Sequence, residues 1–206
     1  MDLETPVIGI LRGVEASFFK DIMDASFASG LQAIEVTMNT AGAPDIIAGC
    51  RRQVPPGKLL GMGTIRNLAE AEIAVGSGAM FMVSPNLDLE VVEYARKQEV
   101  PIVVGALTPT EVYAAWSAGA DMVKVFPCGV LGAAYIKELL GPFEQIPLVA
   151  VGGVNFDNVG QYFEAGSEAV GVSTSLFGRE ALFQKNIERI SDNVKKFIDH
   201  CLEARG

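Results

Sequence analysis

The sequence is poor in the residue that most often binds metals and drives nucleophilic catalysis. It contains one histidine, His200, which lies in the charged segment "VKKFIDHCLEAR" near the C-terminus. A surface position is expected for this side chain, so histidine-based triads and multi-histidine metal sites lack their usual residue. No metal site is therefore predicted, although magnesium bound by carboxylates alone is left open.

Cysteines and long apolar runs are also scarce. The three cysteines, Cys50, Cys128 and Cys201, are widely spaced and form no CxxC motif, which indicates free thiols in a reducing cytoplasm. The acidic N-terminus leads straight into a short apolar run, unlike the basic start of a signal peptide. No uninterrupted apolar run reaches the ~20 residues that span a membrane. We therefore predict a cytoplasmic protein that does not associate with membranes.

Charged residues are few, and the net charge is negative. The net charge is −9 and no cluster of lysine and arginine is longer than two residues, so nucleic acid is not an expected partner. Charged residues make up 20% of the chain, below the ~25% of typical globular domains, while 50% of residues are hydrophobic. This composition indicates additional buried surface, such as an interface between subunits.

Eight short apolar runs follow glycines and prolines in strict alternation. Glycine tolerates the left-handed conformation that closes a helix, so each glycine predicts a helix end followed by a strand. Amphipathic segments fill the intervals between the runs. The residues that precede the runs are Pro6, Gly30, Pro56, Gly78, Pro101, Gly119, Pro147 and Gly166.

The intervening segments carry the signals of helices. Thr108 is a predicted N-cap that forms a capping box with Glu111, and Asn67 and Glu70 form a similar pair. The last helix is predicted to be longer, from about Ala181 to Leu202. In the first helix, one face collects Phe18, Phe19, Ile22, Met23 and Phe27.

Strands that alternate with helices predict a parallel sheet covered by helices. Eight such units favour an α/β fold of the (β/α)8 TIM-barrel type, with short loops because ~250 residues are more typical of that fold. An open doubly wound sheet is the alternative, but no GxGxxG motif follows the first strand. The sequence contains no linker, low-complexity segment or sign of a second domain, so residues 1–206 are predicted to form a single domain.

The polar residues of the apolar runs lie near their C-terminal ends, where barrel enzymes build their active sites. Strand side chains alternate between faces, which places Glu35 opposite Val36, and Lys124 opposite Val123 and Val125. Because helices cover the outside of a barrel, Glu35 and Lys124 should both point inward. Each lies five residues after its glycine, which indicates similar heights in the barrel.

An inward lysine and an inward glutamate have two interpretations. They could form a buried ion pair, although desolvation often cancels the stability that such a pair contributes. Alternatively, burial lowers the pKa of Lys124, so that a neutral amine attacks a ketone and forms a Schiff base. Glu35 would then transfer protons as the general acid and base.

Other strand ends suggest how an anionic substrate is held. Loops after the seventh and eighth strands often bind phosphate in barrels, which makes Gly152–Gly153 and Ser173–Thr174 candidates, although a tight turn also explains paired glycines. Arg12 could hold a carboxylate or phosphate, or could simply be solvated. Thr64 could bind a substrate carboxylate or satisfy a local backbone group.

The motifs "ILRG", "IEVTMNT", "GMGT", "VSPN", "KVFP", "VGGV" and "GVSTSLF" occur in this order along nearly the whole chain. As an ordered set they resemble the 2-keto-3-deoxy-6-phosphogluconate (KDPG) and 4-hydroxy-2-oxoglutarate (KHG) aldolase family, which includes 2-keto-3-deoxy-6-phosphogalactonate aldolases. The resemblance implies a class I aldolase, a lyase of carbohydrate metabolism. Its substrate would be a phosphorylated 2-keto acid, split reversibly into pyruvate and glyceraldehyde 3-phosphate, with 4-hydroxy-2-oxoglutarate a further candidate.

The resemblance also implies roles for individual residues. Lys124 corresponds to the Schiff-base lysine and Glu35 to the acid/base, with no metal or other cofactor. It further implies a cytoplasmic homotrimer. The implied substrate-binding residues are Arg12, Thr64, Asn39, Phe126, Val151, Gly152, Gly153, Ser173 and Thr174.

Two positions depart from the gluconate-acting branch, which usually has arginine in place of Asn39 and threonine in place of Val151. The segments "TMNT" and "AVGGV" are more similar to the galactonate-acting branch. The preferred C4 epimer is therefore left open. Two other functions also remain: a phosphate-binding isomerase or epimerase in which Glu35 abstracts a proton, and a barrel that binds without catalysis.

Overall fold

The chain folds into a closed barrel of eight parallel strands, as predicted. The computed structural model describes residues 1–205. Neighbouring strands pair in sequence order, and pairing of the first with the eighth closes the barrel. The strands are β1 (Val7–Leu11), β2 (Ala33–Thr37), β3 (Leu59–Gly63), β4 (Met82–Val83), β5 (Ile102–Ala106), β6 (Met122–Val125), β7 (Leu148–Val151) and β8 (Ala169–Val172).

Helices connect the strands and surround the barrel. Two short 3₁₀ helices, Arg51–Gln53 and Cys128–Val130, supplement them. Among residues 1–205, no helix combines the length and the apolar character needed to cross a bilayer. The α-helices are α1 (Ala16–Ala28), α2 (Ala43–Cys50), α3 (Leu68–Ser77), α4 (Leu89–Lys97), α5 (Pro109–Ala118), α6 (Ala133–Leu140), α7 (Val159–Glu164), α8 (Thr174–Phe177), α9 (Arg179–Phe183) and α10 (Ile187–Arg205).

Local sequence signals explain where several helices begin and end. The capping box of α5 is present: the Thr108 side chain accepts a hydrogen bond from the Glu111 backbone, and the Glu111 side chain accepts one from the Thr108 backbone. Asn67 caps α3, but the Glu70 carboxylate accepts from the backbone of Arg66 instead. The glycines before β2, β4, β6 and β8 all have positive φ, from 93° to 102°.

The predicted C-terminal helix is wrong in its first part. Instead of one helix from Ala181 to Leu202, the structure has α9 and α10, separated at residues 184–186. Lys185 adopts a left-handed conformation with φ of 51°, which ends the first helix. The Asn186 side chain accepts a hydrogen bond from the backbone of Arg189 and thereby begins the second.

The barrel separates two apolar cores. The outer core lies between strands and helices and contains Ile34, Val36, Val123 and Val125. The inner core fills the barrel below its open end and contains Ala33, Val103, Met122 and Val149. Because residues of one strand alternate between these cores, Glu35 and Lys124 fall on the inner side, as the strand pattern predicts.

Candidate active site

A cavity of about 560 Å³ opens at the C-terminal ends of the barrel strands. This is the end at which TIM-barrel enzymes place their active sites. The loops after β1, β3, β4, β7 and β8 form its wall, and the inward side chains of β2 and β6 form its floor. Of the predicted site residues, those that line it are Arg12, Glu35, Thr64, Lys124, Phe126, Val151, Gly152, Gly153, Ser173 and Thr174.

Lys124 presents a buried amine to the cavity. The residue is 6% exposed and lies on β6 between Gly105 of β5 and Val149 of β7. Its Nζ atom is 4.9 Å from the centre of the Phe126 ring. Burial lowers the pKa of Lys124; the negative charge of Glu35 opposes this change, and the positive charge of Arg12 adds to it. A neutral, nucleophilic amine is therefore easier to form here than in water.

Glu35 lies on β2 and is 1% exposed. Burial raises the pKa of its carboxyl group from 4.5 to about 7, against the opposing effects of the positive charges of Lys124 and Arg12. Its Oε2 atom is buried and has no hydrogen-bond partner among the described residues. A carboxyl group with a pKa near neutrality can both donate and accept a proton under physiological conditions.

Lys124 and Glu35 face the same cavity without forming a direct ion pair. Within residues 1–205, no salt bridge of 4.0 Å or less joins the two side chains, although each changes the pKa of the other. The geometry therefore does not match the interpretation of a buried ion pair. The Lys124 nitrogen and the Glu35 carboxyl oxygens therefore lie more than 4.0 Å apart.

Arg12 and Thr64 form part of the rim. The guanidinium of Arg12 is exposed and donates a hydrogen bond to the Thr64 hydroxyl at 3.4 Å. Thr64 has a φ of 61°, which is unusual for a β-branched residue and indicates a strained backbone. Such strain is tolerated where a side chain must point in a particular direction. Here, the strained residue presents its hydroxyl to the Arg12 guanidinium, and both residues line the cavity.

The two glycines after β7 bring the backbone close to the cavity. Gly152 and Gly153 have φ of 94° and 82°, and the Gly152 carbonyl accepts a hydrogen bond from the Gly129 backbone at 2.6 Å. A Cβ atom on Gly153 would meet the Gly129 Cα at 3.0 Å. Glycine is therefore required both by conformation and by the close approach of the loop that follows β6.

The structure adds residues that the sequence interpretation missed. Asn155 and Ser175 line the cavity; Asn155 directly follows the motif "VGGV", and Ser175 lies within "GVSTSLF", directly after the predicted Thr174. Pro85 lines it from "VSPN". The remaining additions are apolar residues or glycine without a chemical signal of their own: Ile10, Val154 and Gly171.

Asn39 is the one predicted site residue that does not line this cavity. It lies in the turn after β2, with an exposed side chain. Its role in substrate binding stays a prediction.

The cavity as described combines a buried amine, a carboxyl group with a raised pKa, one arginine and several hydroxyl and backbone groups. This combination suits covalent chemistry on an anionic carbonyl compound.

Known proteins share both the sequence and the fold. The KDPG and KHG aldolase family model matches residues 3–193. A probable 2-dehydro-3-deoxy-6-phosphogalactonate aldolase from Rhizobium meliloti is 33% identical over 176 residues, which cover 85% of this chain and 83% of the relative. The solved native KDPGal structure superimposes with a TM-score of 0.92 at 27% identity, covering 99% of this chain and 98% of the other.

A second solved structure concerns the chemistry. The KDPG aldolase from Legionella pneumophila, with pyruvate captured at low pH as a covalent carbinolamine intermediate, matches with a TM-score of 0.85 at 26% identity. The match covers 94% of each chain. Together with the family match over most of the sequence, these similarities establish the relationship: the chain belongs to the KDPG and KHG aldolase family.

Proposed function

We propose that this protein is a class I aldolase that cleaves a 2-keto-3-deoxy-6-phospho sugar acid to pyruvate and glyceraldehyde 3-phosphate. The observation that carries the proposal is the buried Lys124 amine, which faces the cavity and shares it with Glu35 without an ion pair between them. In an ordinary core, such a lysine would be paired with an acidic residue. Membership of an aldolase family supports the same reaction.

The reaction begins at the C2 ketone of the substrate. The neutral Lys124 amine forms a bond to C2, and its proton passes to the former ketone oxygen to give a carbinolamine. Glu35, in its protonated form, donates a proton to this hydroxyl, which leaves as water. The product is an iminium ion joined to Lys124, with Glu35 now a carboxylate.

Cleavage uses the same two groups. The Glu35 carboxylate removes the proton of the C4 hydroxyl, the C3–C4 bond breaks, and its electron pair moves into the iminium to form an enamine. Glyceraldehyde 3-phosphate leaves. Glu35 returns the proton to C3, and water hydrolyses the resulting iminium, which releases pyruvate and restores the amine. A pKa of about 7 suits a group that must give and take protons in alternation.

The remaining cavity residues bind the two ends of the substrate. We assign the carboxylate to Arg12 and Thr64, whose guanidinium and hydroxyl lie together at the rim. The phosphate is assigned to the loops after β7 and β8, where Gly152–Gly153 and Ser173–Thr174 line the cavity. Because glycine has no side chain, its backbone N–H group can approach phosphate oxygens closely and donate hydrogen bonds to them. The Phe126 ring lies beside the Lys124 amine and lines the same cavity.

We propose the galactonate-type epimer as the preferred substrate. Val151 lines the cavity with an apolar side chain and offers no hydroxyl to the substrate. The relative from Rhizobium meliloti is named for a galactonate substrate. Comparing kcat/KM on the gluconate and galactonate epimers, for the wild type and for Val151→Thr, tests this assignment. A higher value on the gluconate epimer for the wild type would contradict it.

The Schiff base is tested by trapping. Incubation with pyruvate and borohydride should attach one reduced pyruvate to the protein, and peptide mass spectrometry should locate it on Lys124. Lys124→Met should keep the fold but lose both the adduct and cleavage. Lys195→Met is the control, because Lys195 is exposed on α10 and pairs with Asp199; this variant should form the adduct normally.

Other results would indicate the alternative functions. Turnover of a phosphorylated sugar without an adduct, accompanied by exchange of a carbon-bound proton with solvent, would indicate an isomerase or epimerase that uses Glu35. Ligand binding without adduct, exchange or cleavage would indicate a binding barrel. Either result would overturn the aldolase assignment.

We also propose that residues 1–206 act as one cytoplasmic barrel domain that assembles as a homotrimer with no cofactor. Large apolar side chains at the surface support an interface between copies. Val130 is 80% exposed and Phe183 is 89% exposed. The three cysteines are free and buried, which is compatible with a reducing compartment.

A further inference from the structure

Gly63, at the end of β3, lies directly against the Glu35 carboxyl group. A Cβ atom built on Gly63 would fall within 2.7 Å of three atoms, and all three belong to that carboxyl group: Oε1, Cδ and Oε2. Real Cβ atoms do not approach other heavy atoms this closely. The carboxyl group therefore occupies the volume in which a side chain at position 63 would begin.

Backbone conformation does not explain the glycine. Gly63 is not among the glycines with positive φ, so its conformation is open to other residues. The strand on which it lies is also held on both sides: Gly63 is in register with Thr37 of β2 and Val83 of β4. Its carbonyl accepts a hydrogen bond from the Met38 backbone at 2.7 Å. A side chain at 63 would therefore displace Glu35 rather than the strand.

The position of the carboxyl group determines its chemistry. Glu35 is buried against Gly63, and its Oε2 atom has no hydrogen-bond partner among the described residues. A carboxyl group displaced into the open cavity that Glu35 lines would meet solvent and the charges of Lys124 and Arg12. Water and positive charge both stabilise the ionised form. The missing side chain at 63 thus keeps the carboxyl group dry and apart from the amine.

We propose that Gly63 is a positioning residue for the reaction: the absence of a side chain there creates the space that holds the Glu35 carboxyl group in its reactive place. The proposal rests on the proposed aldolase function, in which Glu35 transfers protons. It assigns Gly63 no contact with the substrate. Its effect on the reaction passes entirely through Glu35.

Gly61 provides a matched control on the same strand. It lies two residues before Gly63, on the same face of β3, and is in register with Glu35. A Cβ atom on Gly61 would fall within 2.6 Å of three atoms of the buried Phe81 ring, in the inner core. Gly61→Ala therefore introduces one methyl group against an apolar side chain, whereas Gly63→Ala introduces one against the carboxyl group.

The primary experiment follows Glu35 itself. In protein labelled with ¹³C at the glutamate carboxyl carbons, the Glu35 signal is assigned by its loss in Glu35→Gln and then titrated. In Gly63→Ala the pKa should fall from about 7 toward 4.5, and in Gly61→Ala it should stay near the wild-type value. An unchanged titration in Gly63→Ala, or an equal shift in Gly61→Ala, would overturn the proposal.

Kinetics provide a second, independent readout. A misplacement of about 1 Å can cost about 100-fold in rate, so kcat/KM of Gly63→Ala should fall by about that factor. Glu35→Asp shortens the side chain by one methylene and frees space at position 63. The double variant Gly63→Ala/Glu35→Asp should therefore be more active than the product of the two single effects predicts. Strict multiplication of the two losses would count against the contact.

Folding is controlled by removing the carboxyl group. If Gly63→Ala fails to fold, Gly63→Ala/Glu35→Ala should fold with a melting temperature close to that of Glu35→Ala, because the clash is with the carboxyl group. Failure of this double variant would show that Gly63 serves general packing and would overturn the proposal. The proposed function fails separately, if the wild type forms no pyruvate adduct; the ¹³C titration does not depend on activity.

Discussion

At the scale of single residues, burial is the main source of reactivity in this protein. Glu35 and Lys124 belong to residue types that are rarely found inside proteins. Desolvation raises the pKa of Glu35 and lowers the pKa of Lys124, and both changes favour the neutral form. The charge of each group opposes the pKa change of the other without cancelling it. The site therefore sacrifices stability to hold two groups whose neutral forms burial favours.

This loss of stability should depend on pH. The folded-state pKa of Glu35 is raised from 4.5 to about 7, so between these values the folded state binds more protons than the unfolded state. Stability from this group is fully present below pH 4.5 and is lost as pH rises through about 7, by about 3 kcal/mol. Glu35→Gln cannot ionise and should not show this loss.

The measurement is the melting temperature of the wild type and of Glu35→Gln from about pH 5 to about pH 8. The difference between variant and wild type should move in favour of the variant as pH rises. A difference that stays constant over this range would contradict the raised pKa. Glu144→Gln is the control, because Glu144 is exposed and does not line the cavity.

Thr64 should show a conflict between stability and activity. Its φ of 61° costs about 1–2 kcal/mol for a residue with a Cβ atom, and glycine does not bear this cost. Glycine also raises the conformational entropy of the unfolded chain, which lowers the free energy of unfolding by about 0.4–1 kcal/mol. Thr64→Gly should therefore keep or slightly raise the free energy of unfolding while it lowers kcat/KM by removing the hydroxyl.

Thr37, an extended residue of β2, is the control for this prediction. Thr37→Gly should lower the free energy of unfolding measured by urea denaturation, because glycine weakens a strand and the hydrogen bond to Thr40 is lost. If Thr64→Gly were as destabilising as Thr37→Gly, the backbone at Thr64 would not be strained.

At the scale of elements, local signals were reliable where a side chain bonds to its own helix. Thr108 and Glu111 satisfy each other's backbone N–H groups, a pattern that needs no tertiary contact. The C-terminal helix was predicted incorrectly because no glycine or proline marks the break at Lys185. That residue ion-pairs with Glu15, which is distant in sequence, so a contact outside the local pattern accompanies the break.

The capping box of α5 supports a prediction at this scale. Thr108→Ala should lower the free energy of unfolding by about 1 kcal/mol, because the Glu111 backbone N–H loses its acceptor. Thr110→Ala, in the same first turn and also exposed, should change it much less. Urea denaturation of both variants gives the comparison, and equal effects would show that the cap contributes no stability.

At the scale of the whole molecule, exposed apolar residues and low charge point to assembly. The chain has a mass of 21.9 kDa, so sedimentation equilibrium should give a mass about three times this value if the proposed homotrimer forms. Because assembly follows mass action, dilution should increase the share of smaller species. A mass equal to that of one chain at every concentration would contradict the homotrimer.

The sequence by itself determined the number and order of the strands and the inward direction of Glu35 and Lys124. These features depend on short-range regularities: glycines that end helices, and side chains that alternate along a strand. Ten of the eleven site residues that the sequence predicted line the cavity, because strand ends converge in any closed parallel barrel.

Only the tertiary structure decided how these groups behave. The closed barrel buries the Glu35 carboxyl group, and burial in turn raises its pKa. The contact between Gly63 and Glu35 joins two strands, and the outward placement of Asn39 depends on the turn after β2. Desolvation and close packing depend on every element that surrounds a group, and no local pattern in the sequence records them.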